Sequence, residues 1–324
     1  MELTRDADID PAPLSGKRVA VLGYGNQGRA QALNLHDSGI DVVVGLRGAS
    51  GSRIEAEAAG LATALIEEAV GSADIVMMLA PDEIHAALYQ EIEPSLRHGA
   101  ALGFSHGLSV RFGLIEPRDD LDIFLLAPKG PGTALRSLYT EGKGMLAAWA
   151  VHQDATGKAR GTALAYGQAI GCGRAGLIAT SFAEEAEAYL FNEQAVVWGA
   201  VPEILIAGFE TLVAGGVSPE LAYLECVGEL KLLADLIEAR GIAGMREVIS
   251  NTAELGAFLG GKRIVDEGVR QRMAEVLAEV RAGKFADELR QEEESGYARL
   301  EQARDENRQT KIEATRRRLD PASD

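Results

Sequence analysis

The residues of this chain best suited to chemistry are two groups with helical spacing. Glu185, Tyr189 and Glu193 stand four residues apart within FAEEAEAYLFNEQAVVWG, where a β-branched first half gives way to a helical second half. On a helix this spacing places the three side chains one turn apart on one face. Glu225 and Glu229 repeat the spacing in the apolar segment AYLECVGELKLLADLI. Acidic residues so placed between helices predict a site for a hard cation such as Mg²⁺, and the alternative is that each pair is a solvated position on an amphipathic helix.

A glycine-rich segment near the N-terminus predicts a dinucleotide-binding loop. A short buried-strand pattern, KRVAVL, leads directly into GYGNQG, and the helical pattern RAQALNLHDSG follows. In such a loop Gly23 permits a tight turn, Gly25 lets the backbone approach a pyrophosphate, and Gly28 allows the helix to pack closely on the sheet. The start of the helix supplies N–H groups for the anion. The whole segment is therefore assigned to cofactor binding: Gly23, Tyr24, Gly25, Asn26, Gln27 and Gly28.

The end of the second predicted strand, Asp41–Gly45, indicates which cofactor binds. An NAD-binding domain carries an acidic residue there for the ribose 2′-hydroxyl, but this chain continues as LRGASGSR, with Asp41 at the wrong end of the strand. Arg47, Ser50 and Ser52 offer a guanidinium and two hydroxyls, which suit a 2′-phosphate. The alternative is an ordinary polar surface loop. The sequence favours NADPH.

Further strands, predicted at Ala73–Leu79, Gly99–Phe104 and Asp122–Ala127, alternate with helical segments. This alternation is typical of an α/β fold with a doubly wound parallel sheet. Ligands bind to such sheets at the carboxyl ends of the strands. His106 and Lys129 follow two of these strands, and Gly132 lies three residues beyond Lys129. Elsewhere in a chain such residues would be ordinary loop positions, but their place after buried strands makes them candidate site residues.

Several motifs, taken together, resemble the class I ketol-acid reductoisomerases, also called acetohydroxyacid isomeroreductases. The motifs in the first half are GYGNQG, GLRGASGS, FSHG and APKGPG, and those in the second half are FNEQAVVWG, LAYLECVGELKLLADLI and ISNTAELG. The resemblance covers roughly residues 14 to 285. It implies an NADPH-binding Rossmann domain, residues 1–181, followed by an all-α, knotted domain, residues 182–324, that a second chain completes.

The resemblance also implies an activity and a site. Such enzymes use NADPH and two Mg²⁺ ions to move an alkyl group within a 2-hydroxy-3-keto acid and then reduce the new ketone. By position, Glu193 would bind one ion, and Glu225 and Glu229 would bind the other, usually from the partner subunit of a homodimer with a shared active site. The remaining roles would be a contact to the substrate from Ser250 and Glu229, a lining of the site by Lys129 and His106, and binding of the 2′-phosphate by Arg47, Ser50 and Ser52.

One position departs from the family. Where the family has an aspartate in DLFGEQ that bridges both ions, this chain has Tyr189 in YLFNEQ. A phenol is neutral near pH 7 and cannot replace a bridging carboxylate, but it can polarise a carbonyl. Three interpretations follow: a reductase of a 2-keto or 2-hydroxy-3-keto acid with altered or absent isomerase chemistry and one or two Mg²⁺ ions, a true ketol-acid reductoisomerase that tolerates Tyr189, and a non-catalytic NADPH-binding protein.

Composition limits the class of protein and its partners. The 324 residues carry 32 basic and 49 acidic side chains, a net charge of −17 that argues against nucleic acid as a partner. The two cysteines form no metal or disulfide motif, and the polar N-terminus and the absence of a continuous apolar run of membrane-spanning length predict a cytoplasmic protein without a membrane partner. Helices are predicted at Ala195–Ala214, Pro219–Glu238 and Ala243–Leu259, with a polar, mobile tail from about residue 290.

Overall fold

A computed structural model of the chain describes residues 3–320. The residues divide into two compact units, with the division between Ala186 and Glu187. The division falls inside one helix, Phe182–Ala195, in which the sequence had placed Glu185, Tyr189 and Glu193.

The first unit is built on one sheet, which has nine strands among the described residues, in the order β1-β9-β8-β7-β6-β5-β2-β3-β4. Strands β2 to β7 pair in parallel, which confirms the predicted α/β fold, and β7 pairs with β8 in antiparallel fashion. The strand bounds are β1 Leu3–Thr4, β2 Arg18–Leu22, β3 Asp41–Leu46, β4 Ala62–Leu65, β5 Ile75–Met78, β6 Ala101–Phe104, β7 Asp122–Pro128, β8 Ala147–Asp154 and β9 Leu177–Ala179.

The parallel strands are those that the sequence predicted best, because they are buried on both faces and read as continuous apolar runs. All residues of β5, β6 and β7 are buried, including Asp122, whose carboxylate accepts hydrogen bonds from the backbone N–H and the hydroxyl of Thr156. The sheet also has an antiparallel side that the sequence did not predict. There β8 runs against β7, and its last four residues alternate between partly buried and exposed, so they do not form an apolar run.

Helices cover both faces of this sheet. The hydrophobic core accordingly has two parts, one around Val21, Phe124 and Tyr166 and another around Leu102, Phe104 and Leu125. The helices that precede the division are α1 Asn26–Asp37, α2 Ser52–Ala58, α3 Ile66–Ser72, α4 His85–Ile92, α5 Leu108–Arg111, α6 Gly132–Thr140 and α7 Ala159–Ala169, after which α8 Phe182–Ala195 crosses it.

The second unit is helical throughout its described part. Its helices are α9 Ala200–Ala214, α10 Pro219–Tyr223, α11 Leu230–Glu247, α12 Asn251–Ile264, α13 Glu267–Arg281, α14 Lys284–Glu294, α15 Ala298–Arg308 and α16 Lys311–Leu319. The core of this unit includes a small cluster of Phe209, Ala222 and Ile312. Ser218 begins α10 as predicted: its hydroxyl accepts the N–H of Leu221 at 3.4 Å, and Pro219 is the first helical residue.

Three expectations for the second unit differ from the structure. The helix predicted at Ala243–Leu259 is interrupted, since α11 ends at Glu247 and α12 begins at Asn251. The segment predicted as one helix from Pro219 to Glu238 contains a π-helical turn, Leu224–Gly228, between α10 and α11, so Glu225 and Glu229 do not lie on a regular α-helix. The tail from about residue 290, expected to be mobile, continues as helices α15 and α16. Ile312 of α16 packs against Phe209 and Ala222, and Arg318 forms an ion pair with Glu220 of α10 at 2.8 Å, so apolar contacts and charge both connect the tail to this unit.

Much of the apolar surface of the second unit faces outward. No residue of α11 or α12 is buried, although together these helices expose Leu232, Ile242, Leu255, Phe258, Leu259 and Ile264. Within residues 3–320 the stretch Phe182–Ala214 is long and apolar enough to cross a membrane by length and composition alone, and only 6% of its most apolar window is buried. The expectation that no run of the chain reaches that length was therefore wrong, because α8 and α9 follow one another with only a short, apolar turn between them.

Candidate active site

The glycine-rich loop joins β2 to α1 with backbone contacts that only glycine allows. Gly23 has a φ of +99°, and a Cβ there would lie 2.7 Å from the carbonyl oxygen of Leu79, directly after the neighbouring strand β5. A Cβ at Gly28 would overlap the carbonyl oxygen of Gly23, so the first turn of α1 packs directly on the loop. A Cβ at Gly25, by contrast, would meet nothing within 4 Å. Gly23 and Gly28 therefore have the turning and packing roles expected of them, and Gly25 leaves open space at the start of a twelve-residue helix.

A cleft of about 720 Å³ begins at this loop. Gly23, Tyr24, Gly25 and Asn26 line one side, Arg47, Ser50 and Ser52 line another, and the strand ends at Leu79 to Pro81 lie between them. The guanidinium and the two hydroxyls predicted to bind a 2′-phosphate thus share a cleft with the loop predicted to bind the pyrophosphate. An acidic side chain at the end of β3 is missing, since β3 ends at Leu46 and Arg47 follows.

The surroundings of the Tyr24 hydroxyl indicate what kind of ligand group this region would fit. Tyr24 is 8% exposed, and its hydroxyl oxygen is buried with no hydrogen-bond partner among the described residues. Burial raises the pKa of Tyr24, so the group is a neutral phenol. Tyr24 lines both the first cleft and a second cleft of about 640 Å³, which Gly132 and Arg136 also line. An unpaired buried hydroxyl between two clefts fits a polar group of a bound cofactor.

Other predicted cofactor residues hold two loops together. The side-chain amide of Gln27 donates to the carbonyl of Gly130 at 2.8 Å, and the N–H of Thr133 donates to the side-chain oxygen of Asn26 at 3.0 Å. A Cβ at Gly132 would overlap the carbonyl oxygen of Asn26. The glycine-rich loop and the loop after β7 are therefore fixed against each other. Gln27, Gly28, Gly132 and His106 do not line the first cleft.

A buried amide network supports the same loops from below. Tyr166 donates its hydroxyl proton to the side-chain oxygen of Gln31 at 2.9 Å, and both side chains are fully buried. The side-chain amide of Gln31 donates to the side-chain oxygen of Gln27 at 3.1 Å and to the hydroxyl of Ser105 at 2.9 Å. Ser105 donates in turn to the carbonyl of Leu126.

Lys129 forms an ion pair with a buried carboxylate. Its ammonium donates to Oε1 of Glu185 at 2.6 Å, and the N–H of Gly107 donates to Oε2 of the same carboxylate at 2.8 Å. Glu185 is 4% exposed. Each of its oxygens accepts a hydrogen bond within the first unit, so the carboxylate is held beside Lys129 and Gly107.

His106 pairs with a residue that the sequence did not single out. Its Nδ1 lies 2.7 Å from Oδ2 of Asp82, in the short turn Asp82–Ile84 after β5. Burial raises the pKa of Asp82, but the hydrogen bond from His106 and its positive charge outweigh this and lower it overall. The signal that would have found Asp82 is its place three residues beyond the predicted strand Ala73–Leu79, on the ligand side of the sheet.

The predicted metal ligands of the second unit do not form a site within one chain. Among the residues that the structure describes, no three His, Cys, Asp or Glu side chains come together as a metal-binding group. Glu193 is half-buried in α8, Glu225 and Glu229 are exposed on and after the π-helical turn, and Tyr189 is 36% exposed. Residues 3–320 of one chain therefore do not bring together the donors for a pair of bridged Mg²⁺ ions.

Ser250, predicted to contact the substrate carboxylate, begins α12 as its N-cap. Its hydroxyl oxygen accepts the N–H of Ala253 at 3.2 Å. The cap uses a lone pair of the oxygen, so the O–H proton remains a donor suited to a carboxylate, and the start of a fourteen-residue helix favours the same charge.

Comparisons with known proteins match both halves of the chain. A family model described as the NADPH-binding domain of acetohydroxy acid isomeroreductase matches residues 13–176, and one described as the C-terminal domain of ketol-acid reductoisomerase matches residues 182–323. The chain belongs to the ketol-acid reductoisomerase family. An NADH-preferring ketol-acid reductoisomerase from an uncultured archean is 40% identical, with a TM-score of 0.96 and 99% of each chain covered.

Two more distant structures share the fold alone. One is a putative oxidoreductase from Jannaschia sp. CCS1, which is 19% identical with a TM-score of 0.61 and aligns over 82% of this chain and 98% of its own. The other is pyrroline carboxylate reductase from Plasmodium falciparum with NADP bound, which is 14% identical with a TM-score of 0.52 and aligns over 83% of this chain and 98% of its own. Membership of the ketol-acid reductoisomerase family confirms the resemblance predicted from the motifs and the arrangement of a Rossmann-like region before a helical one.

Proposed function

We propose that this member of the ketol-acid reductoisomerase family is an NADPH-dependent reductase of a 2-keto or 2-hydroxy-3-keto acid in which Tyr189 impairs or abolishes alkyl migration. The observation that carries the proposal is the position of Glu185, the acidic residue one turn before Tyr189. Hydrogen bonds from Lys129 and Gly107 hold this carboxylate within the first unit, so we expect it not to take the place of the missing aspartate. Migration depends on a metal pair that polarises two oxygens together, whereas hydride transfer needs one polarised carbonyl.

The first unit supplies what reduction requires. The cleft from Gly23 to Ser52 would hold the cofactor, with Arg47, Ser50 and Ser52 on its 2′-phosphate. NADPH remains a proposal, because the archaeal relative is described as NADH-preferring. Lys129, fixed by Glu185, is a cation suited to polarise a substrate carbonyl oxygen, and His106 is suited to supply a proton.

The second unit would complete the site from another copy of the chain. We propose a homodimer in which Glu193 of one protomer lies with Glu225, Glu229 and Ser250 of its partner. Bound Mg²⁺ would act there as a Lewis acid on substrate oxygens. The apolar faces of α11 and α12, which have no buried residue, support a second copy, since helices of this length gain most of their stability by burying one face.

A true ketol-acid reductoisomerase of branched-chain amino-acid synthesis is the second candidate. It is favoured by the 40% identity to the archaeal enzyme over 99% of the chain and by the presence of Glu193, Glu225, Glu229 and Ser250. The same residues weigh against a non-catalytic cofactor-binding protein, because a protein that had lost its activity would have no need of four polar side chains at these positions.

Oxidation of NADPH with 2-acetolactate and with 3-hydroxy-2-ketoisovalerate, each with and without Mg²⁺, separates these candidates. We expect turnover of the second substrate, which needs only reduction, and little or none of the first. Tyr189→Asp should restore turnover of acetolactate by about 100-fold or more, the order that a missing catalytic electrostatic group costs. Tyr189→Phe is the control, since it keeps the ring but removes the hydroxyl. Efficient Mg²⁺-dependent turnover of acetolactate by the unmodified protein would establish the second candidate instead.

A further inference from the structure

The pair formed by Asp82 and His106 joins two turns at the ligand side of the sheet. Strands β5 and β6 are parallel neighbours, so the turns after Met78 and after Phe104 lie side by side. The distance of 2.7 Å between Nδ1 and Oδ2 is that of a charge-assisted hydrogen bond. Ala80 and Pro81, the residues directly before Asp82, line the first cleft, which begins at the glycine-rich loop. The pair therefore lies beside the place where reduction would occur.

Protonation of the pair has one consistent arrangement. Although burial acts to raise the pKa of Asp82, the hydrogen bond and charge of His106 lower it, so the carboxylate is ionised and can only accept. Nδ1 of His106 must then carry a proton in both the neutral and the charged ring. Any proton that His106 gives or takes passes through Nε2.

The other histidine near Asp82 does not share this role. Nε2 of His85 lies 2.8 Å from the carbonyl oxygen of Ala80, so it donates there, and its Nδ1 lies 3.0 Å from the hydroxyl of Ser109. Burial lowers the pKa of His85, and the ring is neutral at physiological pH. Nδ1 of His85 is 3.6 Å from Oδ1 of Asp82, too far for a hydrogen bond. Glu83, which also acts on His85, is negatively charged like Asp82. Because His85 is neutral, the positive charge that Asp82 stabilises is that of His106.

We propose that Asp82 is a positioning residue for His106, which it holds with Nδ1 protonated so that Nε2 serves as the acid in ketone reduction. A reduced nicotinamide cofactor, when bound, would supply a hydride to the keto carbon and be oxidised, which would leave the keto oxygen as an alkoxide. His106 as imidazolium gives the Nε2 proton to this oxygen, which completes the alcohol, and it remains as a neutral ring with Nδ1–H on Asp82. The step rests on the proposed reductase function.

Nitrogen-15 NMR of the histidine rings tests the arrangement independently of activity. The chain has five histidines, and the signals that disappear in His106→Gln identify His106. In the unmodified protein above the ring's titration range we expect the Nδ1–H tautomer, and in Asp82→Asn a mixture of both tautomers. The Nε2–H tautomer in the unmodified protein, or an unchanged tautomer in Asp82→Asn, would overturn the proposal.

Kinetics of the same variant distinguish positioning from a general loss of structure. Asp82→Asn should lower kcat for reduction about 10- to 100-fold, with KM changed less than about twofold. The fall of activity with rising pH should begin about one pH unit lower, because the carboxylate no longer stabilises the imidazolium. Glu83→Gln, a neutralisation in the same turn, is the control and should leave the pH profile unchanged. A loss of kcat without a shift of the pH profile would contradict the positioning role of Asp82. Absence of turnover in the unmodified protein would contradict the reductase function, and the NMR result would then decide on Asp82.

Discussion

At the scale of the residue, we expect cofactor preference to depend on three side chains: Arg47, Ser50 and Ser52. They line the same cleft as the glycine-rich loop, and β3 ends without an acidic residue for a ribose hydroxyl. A guanidinium binds a phosphate through two parallel hydrogen bonds, which a hydroxyl cannot match. Cofactor preference should therefore depend on Arg47 more than on any backbone feature of the loop.

Arg47→Asp should weaken binding of NADPH about 10- to 100-fold and change that of NADH much less, since a charge-assisted hydrogen bond contributes about 1.5–3 kcal/mol. Fluorescence titration with both cofactors measures this. Arg53→Gln is a matched control, because Arg53 donates to the hydroxyl of Thr63 and pairs with Glu57. An equal loss for both cofactors would show that Arg47 does not contact a 2′-phosphate.

At the scale of the element, Arg118 ties the loop before β7 to its neighbours. Its guanidinium donates to both oxygens of Asp120 at 2.9 Å and to the carbonyls of Glu93 and Leu96 just after α4. The hydrogen bond from Arg118 holds the pKa of Asp120 at about 2, below its ordinary value of 3.8. A carboxylate whose pKa is lowered on folding stabilises the protein at pH values above its pKa in the unfolded state. That stabilisation is lost as the pH falls through the pKa of the folded state.

Asp120→Asn should therefore lower the free energy of unfolding above about pH 4 by up to ~1 kcal/mol, with the difference from the unmodified protein vanishing towards pH 2. Urea denaturation across this pH range measures both curves. Asp119→Asn removes a charge one residue earlier and serves as the control. A constant difference at every pH would mean that Asp120 acts through something other than its charge.

Features within one element could be predicted from the sequence, whereas features that depend on contacts between distant elements could not. The strands β2, β3, β5, β6 and β7 and the loop at Gly23 could be predicted because their signals are local: apolar runs, and glycines where the backbone turns sharply. Asp82 and His106 are 24 residues apart and meet only because β5 and β6 are neighbours. The π-helical turn at Glu225 has no local signal either, since its spacing reads as that of an α-helix.

At the scale of the whole molecule, exposed apolar surface is the dominant feature of the second unit. Trp198 is 69% exposed and Leu259 is 66% exposed. The proposed metal ligands do not come together in one described chain. Both observations agree with a homodimer in which each site takes residues from two chains, because dimerisation would cover the apolar helices and bring the carboxylates together.

Complementation between inactive variants tests this sharing. Glu193→Gln and Glu229→Gln should each be inactive alone. When the two are coexpressed, half of the dimers contain both kinds of chain, and each of these has one intact site, so about a quarter of the unmodified activity should return. Light scattering confirms that dimers form. Mixed dimers without recovered activity would show that each chain builds its own site.

The buried amide network beneath the two cofactor loops has a fixed polarity. Tyr166 must donate to Gln31, because the side-chain amide nitrogen of Gln31 already faces Gln27 and Ser105. Gln27 must then donate to Gly130, and Ser105 to Leu126. Rotation of the Gln27 amide by half a turn would place donor against donor, and rotation of the Gln31 amide would place its oxygen against the oxygen of Gln27, so neither amide can reorient alone. The two loops are thus held in one relative arrangement by a chain of hydrogen bonds that runs in a single direction and starts at the buried phenol of Tyr166.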